Sequence, residues 1–286
     1  KSDDFYKPRN ASGLGDALKE NIKKRTNDYL QKINSFFDRK NIHAHYLYSL
    51  LRGIEEILRS KQSFDDAQVV QILGLFEIIR ISGSNPADPF IRKKDDSWLV
   101  DWIGTVKVIT DILLFVMERN DREEIFHKKH RDQIKNLISY LFTIKDSPSK
   151  NDEKPEYGEP YHIAINSVRG RAFEAFVIFT ENDGKTLSDN TKKLYEQVLN
   201  DNSFAVRFVI GRYLATFYFR DKDYITSIFS DIFPKDDQNR KDIYLATWEG
   251  YLSNTLYDKL FVDLENYYIH AIALNPEENP MTERPE

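Results

Sequence analysis

The stretch YHIAINSVRGRAFEAFVIFT, residues 161–180, returns in altered form as SFAVRFVIGRYLATFYF, residues 203–219. Apolar residues in both copies recur every three or four positions, which is the spacing of one helix face. The second copy is apolar nearly all round, as is typical of a helix that is covered on several sides. Five positions match at one offset of 41 residues, namely Ala164 with Ala205, Val168 with Val209, Gly170 with Gly211, Arg171 with Arg212 and Phe176 with Phe217. Each copy is therefore predicted to be one buried helix of a repeat.

Two of the matching positions are glycines inside these helices, Gly170 and Gly211. A glycine in a helix interior costs about 1 kcal/mol relative to alanine. Close approach of a neighbouring helix is a physical reason to retain it. We therefore predict that the two glycines lie at equivalent tight seams between helices.

Composition restricts the class of protein. The chain of 286 residues is 41% hydrophobic and 30% charged, which suits a soluble globular protein with a sizeable core. Its net charge of −5 gives no basic signature, so nucleic acid is a possible partner but not the favoured one. The absence of cysteine excludes disulfides and thiol chemistry. No signal peptide or membrane span is visible. We expect a cytoplasmic protein without a membrane partner, and a fragment of a longer polypeptide.

The apolar spacing predicts about eleven helices and little or no sheet. Residues 1–144 form a predicted N-terminal helical sub-domain. Residues 145–160, KDSPSKNDEKPEYGEP, hold three prolines and eight charges and are predicted to be a flexible loop. Residues 161–274 form a predicted C-terminal sub-domain of HEAT-like repeats, and residues 275–286 an extended tail.

The period of 41 residues lies within the range of HEAT and armadillo units. In such arrays each unit cannot bury its own apolar face and therefore stacks on the next. The predicted fold is thus all-α, a HEAT/armadillo-like α-solenoid. Because the N-terminal half shows no convincing repeat, an irregular helical bundle is the alternative.

Five polar residues within the otherwise apolar repeat helices are the candidate binding residues: Asn166, Arg169, Arg171, Arg207 and Arg212. The planar guanidinium of arginine suits an anion or carboxylate ligand. The alternative is structural, with the side chains bonding carbonyls and acids at helix seams, for instance Glu174. We favour the structural interpretation.

Catalytic and metal-binding motifs are weak in this sequence. The string EEIFHKKHRD, residues 123–132, places His127 and His130 one turn after two glutamates, a helical spacing that can hold a metal. Its many charges favour a solvated face instead. The sequence contains no Gly-rich phosphate loop, no GxSxG and no HExxH. No catalytic residue, metal or cofactor is predicted.

The string AINSVRGRAFEAF, residues 164–176, resembles a segment of the helical-repeat regions of large bacterial STAND-type NTPases, several of which act in defence against phage. In that family a nucleotide-binding oligomerisation domain is followed by a helical-repeat sensor that binds a foreign protein, and an N-terminal effector responds. No GxxxxGK[ST] string occurs in this chain. The resemblance therefore implies a sensor or scaffold region that does not itself hydrolyse nucleotide.

These observations favour a non-enzymatic helical-repeat module that binds another macromolecule, preferably a protein. Solenoids offer long concave surfaces that suit such binding. One alternative is an all-α enzyme with a pocket between the two halves, near Arg169 and Arg171. Another is a nucleic-acid-binding helical array. The oligomeric state and the identity of the partner are left open.

Overall fold

The computed structural model describes residues 11–33, 43–60, 64–82, 99–118, 128–145, 159–181, 183–234, 241–254 and 256–273. Within these ranges every regular element is a helix, and no strand occurs. The all-α prediction is thereby confirmed. The reason is that apolar residues recur every three or four positions in nearly every segment, which suits helices and would place side chains on both faces of a strand.

The chain divides into two compact units, Lys1–Leu141 and Phe142–Glu286, called here the N-terminal unit and the C-terminal unit. The described helices of the N-terminal unit are α1 (Ala11–Lys24), α2 (Thr26–Gln31), α3 (Ala44–Arg59), α4 (Asp66–Ser82), α5 (Trp102–Met117) and α6 (Arg131–Leu141). In this unit α3 packs against α1 and α5, while α4 packs against α2 and α6.

The described helices of the C-terminal unit are α7 (Glu159–Asn166), α8 (Val168–Thr180), α9 (Asp189–Leu199), α10 (Phe204–Arg212), α11 (Leu214–Arg220), α12 (Lys222–Ser227), α13 (Phe229–Ile232), α14 (Lys241–Leu252), α15 (Asp258–Asp263) and α16 (Glu265–Ile272). The unit is built around α10, in which every residue from Ala205 to Gly211 is buried. Helix α10 packs against α7, α8 and α14.

The two copies of the repeat are not uninterrupted helices, contrary to the sequence prediction. The first breaks at Ser167, whose backbone is extended and whose hydroxyl accepts the N–H of Gly170, so that it caps α8. The second breaks at Tyr213, between α10 and α11. Breaks of this kind leave the apolar period nearly intact, and so the described ranges contain sixteen helices where about eleven were predicted.

Both repeat glycines are crowded, but by different neighbours. A Cβ atom on Gly170 would overlap the carbonyl of Ala164 in α7, the preceding helix of the same copy. A Cβ atom on Gly211 would overlap the carbonyl of Thr247 in α14. The prediction of close approach is therefore confirmed, whereas the prediction that the two seams are equivalent is wrong. The HEAT-like arrangement stays a prediction.

The loop predicted over residues 145–160 ends earlier than expected. Glu159 and Pro160 already form the start of α7. Proline fits the first helical turn because an N–H there would have no partner within the helix. Residues 146–158 of this predicted loop and the predicted tail, residues 275–286, lie outside the described residues.

Candidate functional site

Arg207 is the most deeply buried of the five candidate binding residues, with 0% of its surface exposed. Its Nε donates to the carbonyl of Asp201 at 3.1 Å, its Nη1 to that of Asp231 at 2.9 Å, and its Nη2 to that of Leu199. Leu199 is the last residue of α9, and Asp231 lies near the end of α13. A cation is favourable at helix C-termini, where carbonyls lack intrahelical partners. Arg207 therefore serves as a buried cap for two helices.

Arg169 contacts the segment that connects α9 to α10, which includes Asp201. Its Nη1 lies 2.6 Å from Oδ2 of Asp201, and both side chains are largely buried. Oδ1 of Asp201 accepts the N–H of Ser203 at 2.8 Å. Because Arg207 binds the backbone carbonyl of Asp201, the two arginines hold this residue by its side chain and its main chain at once.

Arg171 and Arg212 belong to a second group of contacts. Nη1 of Arg171 donates to Glu174 at 2.7 Å, as the structural interpretation expected. The hydroxyl of Tyr213 donates to the other oxygen of Glu174 at 3.4 Å. Burial and the charge of Glu174 both raise the pKa of Tyr213, which keeps it a neutral donor. The guanidinium of Arg212 lies 5.4 Å from the ring centre of Tyr161.

Asn166 stands apart from both groups, at the exposed end of α7, where its Nδ2 donates to the carbonyl of His162 at 2.8 Å. The five candidates thus take part in three different sets of contacts, and the contacts named here are all made within the chain. Binding by these residues stays a prediction.

The structure describes only part of the charged string EEIFHKKHRD, residues 123–132, which was considered above as a metal site. His127, Glu123 and Glu124 lie outside the described residues, whereas Nε2 of His130 lies 3.1 Å from Oδ1 of Asp66. Among the residues with a described position, no group of three or more His, Asp or Glu side chains is arranged to hold a metal ion.

A cleft of about 250 Å³ opens between α4 and α6 of the N-terminal unit. Its one carboxylate, Glu77, takes two hydrogen bonds from Arg80, one of them at 2.7 Å, and this contact lowers the pKa of the carboxyl. An acid held in this way is a poor general base. The remaining lining residues are Leu73, Phe76, Gln133, Asn136 and Leu137.

The C-terminal unit exposes a run of large apolar side chains on its last two helices. Helix α16 contains no buried residue, and α15 contains only one. Val262 is 67% exposed and Ile272 is 79% exposed, and α15 packs against α16. Single exposed apolar residues are normal, but adjacent ones mark interaction surfaces. The set called here the apolar face consists of Leu256, which lies just before α15, and of Phe261, Val262, Ile269 and Ile272.

Helix α16 is anchored by aromatic rings. The ring of Tyr268 lies 4.8 Å from that of Trp248 and 6.1 Å from that of Tyr251, both in α14. The ring of Tyr267 lies 5.7 Å from that of Phe233. Aromatic pairs at these distances add stability beyond their buried area. Helix α16 is therefore fixed to α14, and α15 packs against α16.

Glu249 lies on α14, three residues before the exposed Leu252 and thus on the same helix face. Burial raises the pKa of its carboxyl to about 6. No basic side chain in the described part of the chain forms an ion pair with Glu249. The carboxylate is thus partly desolvated without a compensating charge.

Replacing Glu249 with glutamine is expected to stabilise the C-terminal unit at pH 7 by about 1 kcal/mol. The folded-state pKa of about 6 lies above the value of 4.5 for an unperturbed glutamate. The contribution of Glu249 to stability is therefore fully present below pH 4.5 and is lost as the pH rises through about 6. Urea unfolding at a series of pH values would measure this, and a gain that stays constant down to pH 4 would contradict it.

Comparisons with protein-family models, with characterised proteins and with solved structures give no match for this chain. In the part of the chain that the structure describes, no helix is both long and apolar enough to cross a bilayer.

The apolar face was not predicted from the sequence. The segment from Glu265 to Ile272 reads ENYYIHAI, with apolar or aromatic residues on more than one face. That excess was a usable signal, because a helix packed on one side needs only one apolar stripe.

Proposed function

We propose that the chain is a non-enzymatic helical module that binds a protein partner through its apolar face. The observation that carries this proposal is the exposure of Val262, Ile269 and Ile272 on α15 and α16. Helix α16 is held against α14 by the contact between the rings of Tyr268 and Trp248. Burying such side chains stabilises a complex by removing apolar surface from water. A rigid surface also loses little conformational entropy when it binds.

The charges around the apolar face indicate the chemistry of the partner. Asp258 is exposed four residues before Val262, and Glu265 is exposed four residues before Ile269, so each acid shares a helix face with an apolar residue. Lys259 is also exposed, three residues before Val262, so acids outnumber bases by two to one among these three charges. A complementary ligand is an amphipathic helix whose apolar stripe is flanked by lysine or arginine.

A narrower form of the proposal follows from the resemblance of residues 164–176 to STAND-type NTPases. The chain would then be the HEAT-like sensor or scaffold region of a larger cytoplasmic protein of antiviral defence, and its partner a foreign protein. The packing of α10 against three other helices supports stacked helices within the C-terminal unit. The apolar face would be the surface that detects the partner.

Selection from a displayed library of amphipathic helical peptides would test the binding proposal. The library should contain basic-flanked and acidic-flanked peptides in equal numbers. We expect basic-flanked peptides to be selected and to bind at least about tenfold more weakly to a triple variant, Val262→Ser, Ile269→Ser and Ile272→Ser. A matched control is Phe219→Ser, because Phe219 is 78% exposed on α11 and lies outside the apolar face.

Three outcomes separate the proposal from its alternatives. Peptides that bind the triple variant and the wild-type chain equally would exclude the apolar face as the docking surface. Selection of acidic-flanked peptides would overturn the assigned partner chemistry. Tight binding of single- or double-stranded oligonucleotides, unaffected by the triple variant, would favour the nucleic-acid-binding array instead.

A further inference from the structure

Gly74 lies in the middle of α4, and no heavy atom of the described chain lies within 4 Å of the position that its Cβ would take. Alanine forms helices better than glycine. No contact within the described chain therefore accounts for glycine at this position. Six other helix glycines do have a neighbour at 3.1 Å or closer to that position: Gly15, Gly53, Gly104, Gly170, Gly211 and Gly250.

The seam between α10 and α14 shows how helix glycines are used in this protein. Gly211 faces the carbonyl of Thr247, and Gly250 faces the carbonyl of Phe208. The contacts are reciprocal: Thr247 lies three residues before Gly250, and Phe208 lies three residues before Gly211. One glycine from each helix is enough to bring the two backbones into contact. Two copies of a single helix would form the same reciprocal seam around a two-fold axis.

Helix α4 carries a second apolar face around Gly74. The residues of this face recur at intervals of three and four, the spacing with which two helices pack along a shared seam. Val70 is 47% exposed and Ile81 is 59% exposed, whereas the opposite face of α4 is buried within the N-terminal unit. The set called here the glycine face consists of Ala67, Val70, Gly74, Ile78 and Ile81.

We propose that the glycine face binds the glycine face of a second copy of this chain, with the two α4 helices antiparallel and crossing at Gly74. In this register Ile81 of one copy faces Ala67 of the other, so a large side chain meets a small one. A parallel register would instead bring Ile81 against Ile81 and Ala67 against Ala67, so that large side chains meet at one end of the seam and small ones at the other.

The helix dipoles favour the antiparallel dimer, because the positive N-terminal end of each α4 then lies beside the negative C-terminal end of the other. Asp66 in the first turn and Arg80 in the last turn do not decide the orientation. Within the chain Asp66 pairs with Lys129, and Arg80 pairs with Glu77.

The test is the oligomeric state of the full chain, measured by sedimentation equilibrium over a range of concentrations. The wild-type chain is expected to show a reversible monomer–dimer equilibrium. Gly74→Leu is expected to raise the dimer Kd at least tenfold without lowering the melting temperature, because a side chain at residue 74 meets no described atom in the monomer. Val262→Ser, on the apolar face, is the control and should leave the Kd unchanged.

Cysteine cross-linking tests the orientation, since the chain contains no natural cysteine. An equimolar mixture of the Ala67→Cys and Ile81→Cys variants should form a disulfide-linked dimer, whereas either variant alone should form it poorly. Efficient cross-linking of Ala67→Cys with itself would overturn the antiparallel register. A monomeric wild-type chain at all concentrations, or a Gly74→Leu variant that dimerises like the wild type, would overturn the proposal.

Discussion

Replacing Arg207 with methionine is expected to destabilise the C-terminal unit by about 3 kcal/mol. Methionine fills similar space but leaves the carbonyls of Leu199, Asp201 and Asp231 without the donor that they share. A buried carbonyl left unsatisfied costs about 1–3 kcal/mol, and the hydrogen bond to Leu199 is buried, whereas those to Asp201 and Asp231 are part-buried and add less. The loss is therefore large relative to the total stability of a typical domain.

Urea unfolding followed by circular dichroism would measure this effect. Arg207→Lys should recover only part of the loss, because an ammonium lacks the planar fork that reaches three carbonyls in different directions. The matched control is Arg25→Met, since Arg25 is 64% exposed and pairs with Asp28 on the surface. That change is expected to stay within about 0.5 kcal/mol.

An Arg207→Met variant as stable as the Arg25→Met control would show that the three carbonyls find other donors. Arg207 would then not be a structural cap, and the anion-binding interpretation would regain weight. A ligand-binding arginine can be removed with little loss of stability, whereas a cap cannot.

Replacing Gly211 or Gly250 with alanine is expected to cost about 3 kcal/mol or more, at the upper end of the usual cost of overpacking. The added Cβ atom would overlap a backbone carbonyl across the seam between α10 and α14. A flexible side chain could move aside, but a helix backbone cannot, so the two helices must separate. Helix propensity alone predicts the opposite sign, a gain of about 1 kcal/mol.

The matched control is Gly74→Ala, studied at low protein concentration. It changes the same residue type in a helix interior where the structure describes no neighbour, so it should stabilise the chain by up to about 1 kcal/mol. The Gly211→Ala, Gly250→Ala double variant should cost much less than the sum of the single variants, because both residues form one seam. A neutral effect of both single changes would show that the helices do not touch there.

Local sequence was sufficient for the secondary structure class, and it also carries signals for helix starts. The hydroxyl of Ser188 accepts the N–H of Thr191 at the first turn of α9. Such caps involve residues three apart and so leave a short-range signal. The breaks at Ser167 and Tyr213 were missed, because the apolar residues on both sides of each break keep the spacing of one helix face. Ser167 itself was a usable cap signal, since its hydroxyl accepts the N–H three residues later.

The candidate site was predicted only in part, and Arg207 shows why. An arginine such as Arg207, in a helix that is apolar nearly all round, was recognisable as unusual from the sequence. Its partners were not, since they are main-chain carbonyls and a carbonyl has no residue-type signature. One of them, on Asp231, lies 24 residues away in a different helix.

By itself the sequence determined that the chain is helical, because the helix period is a property of each segment and needs no knowledge of its neighbours. The tertiary structure alone decided which glycine meets which backbone, which arginine caps which helix, and which apolar residues are left uncovered. Gly74, Gly170 and Gly211 have the same local context, a glycine within an apolar helix. Within the described chain, however, a side chain would meet no neighbour at Gly74, the preceding helix α7 at Gly170, and the separate helix α14 at Gly211. These contacts are set by residues that are far apart in the sequence. The apolar periodicity of a helix is the same whether its face is covered by its own chain or by a partner, so it does not show which of the two covers it.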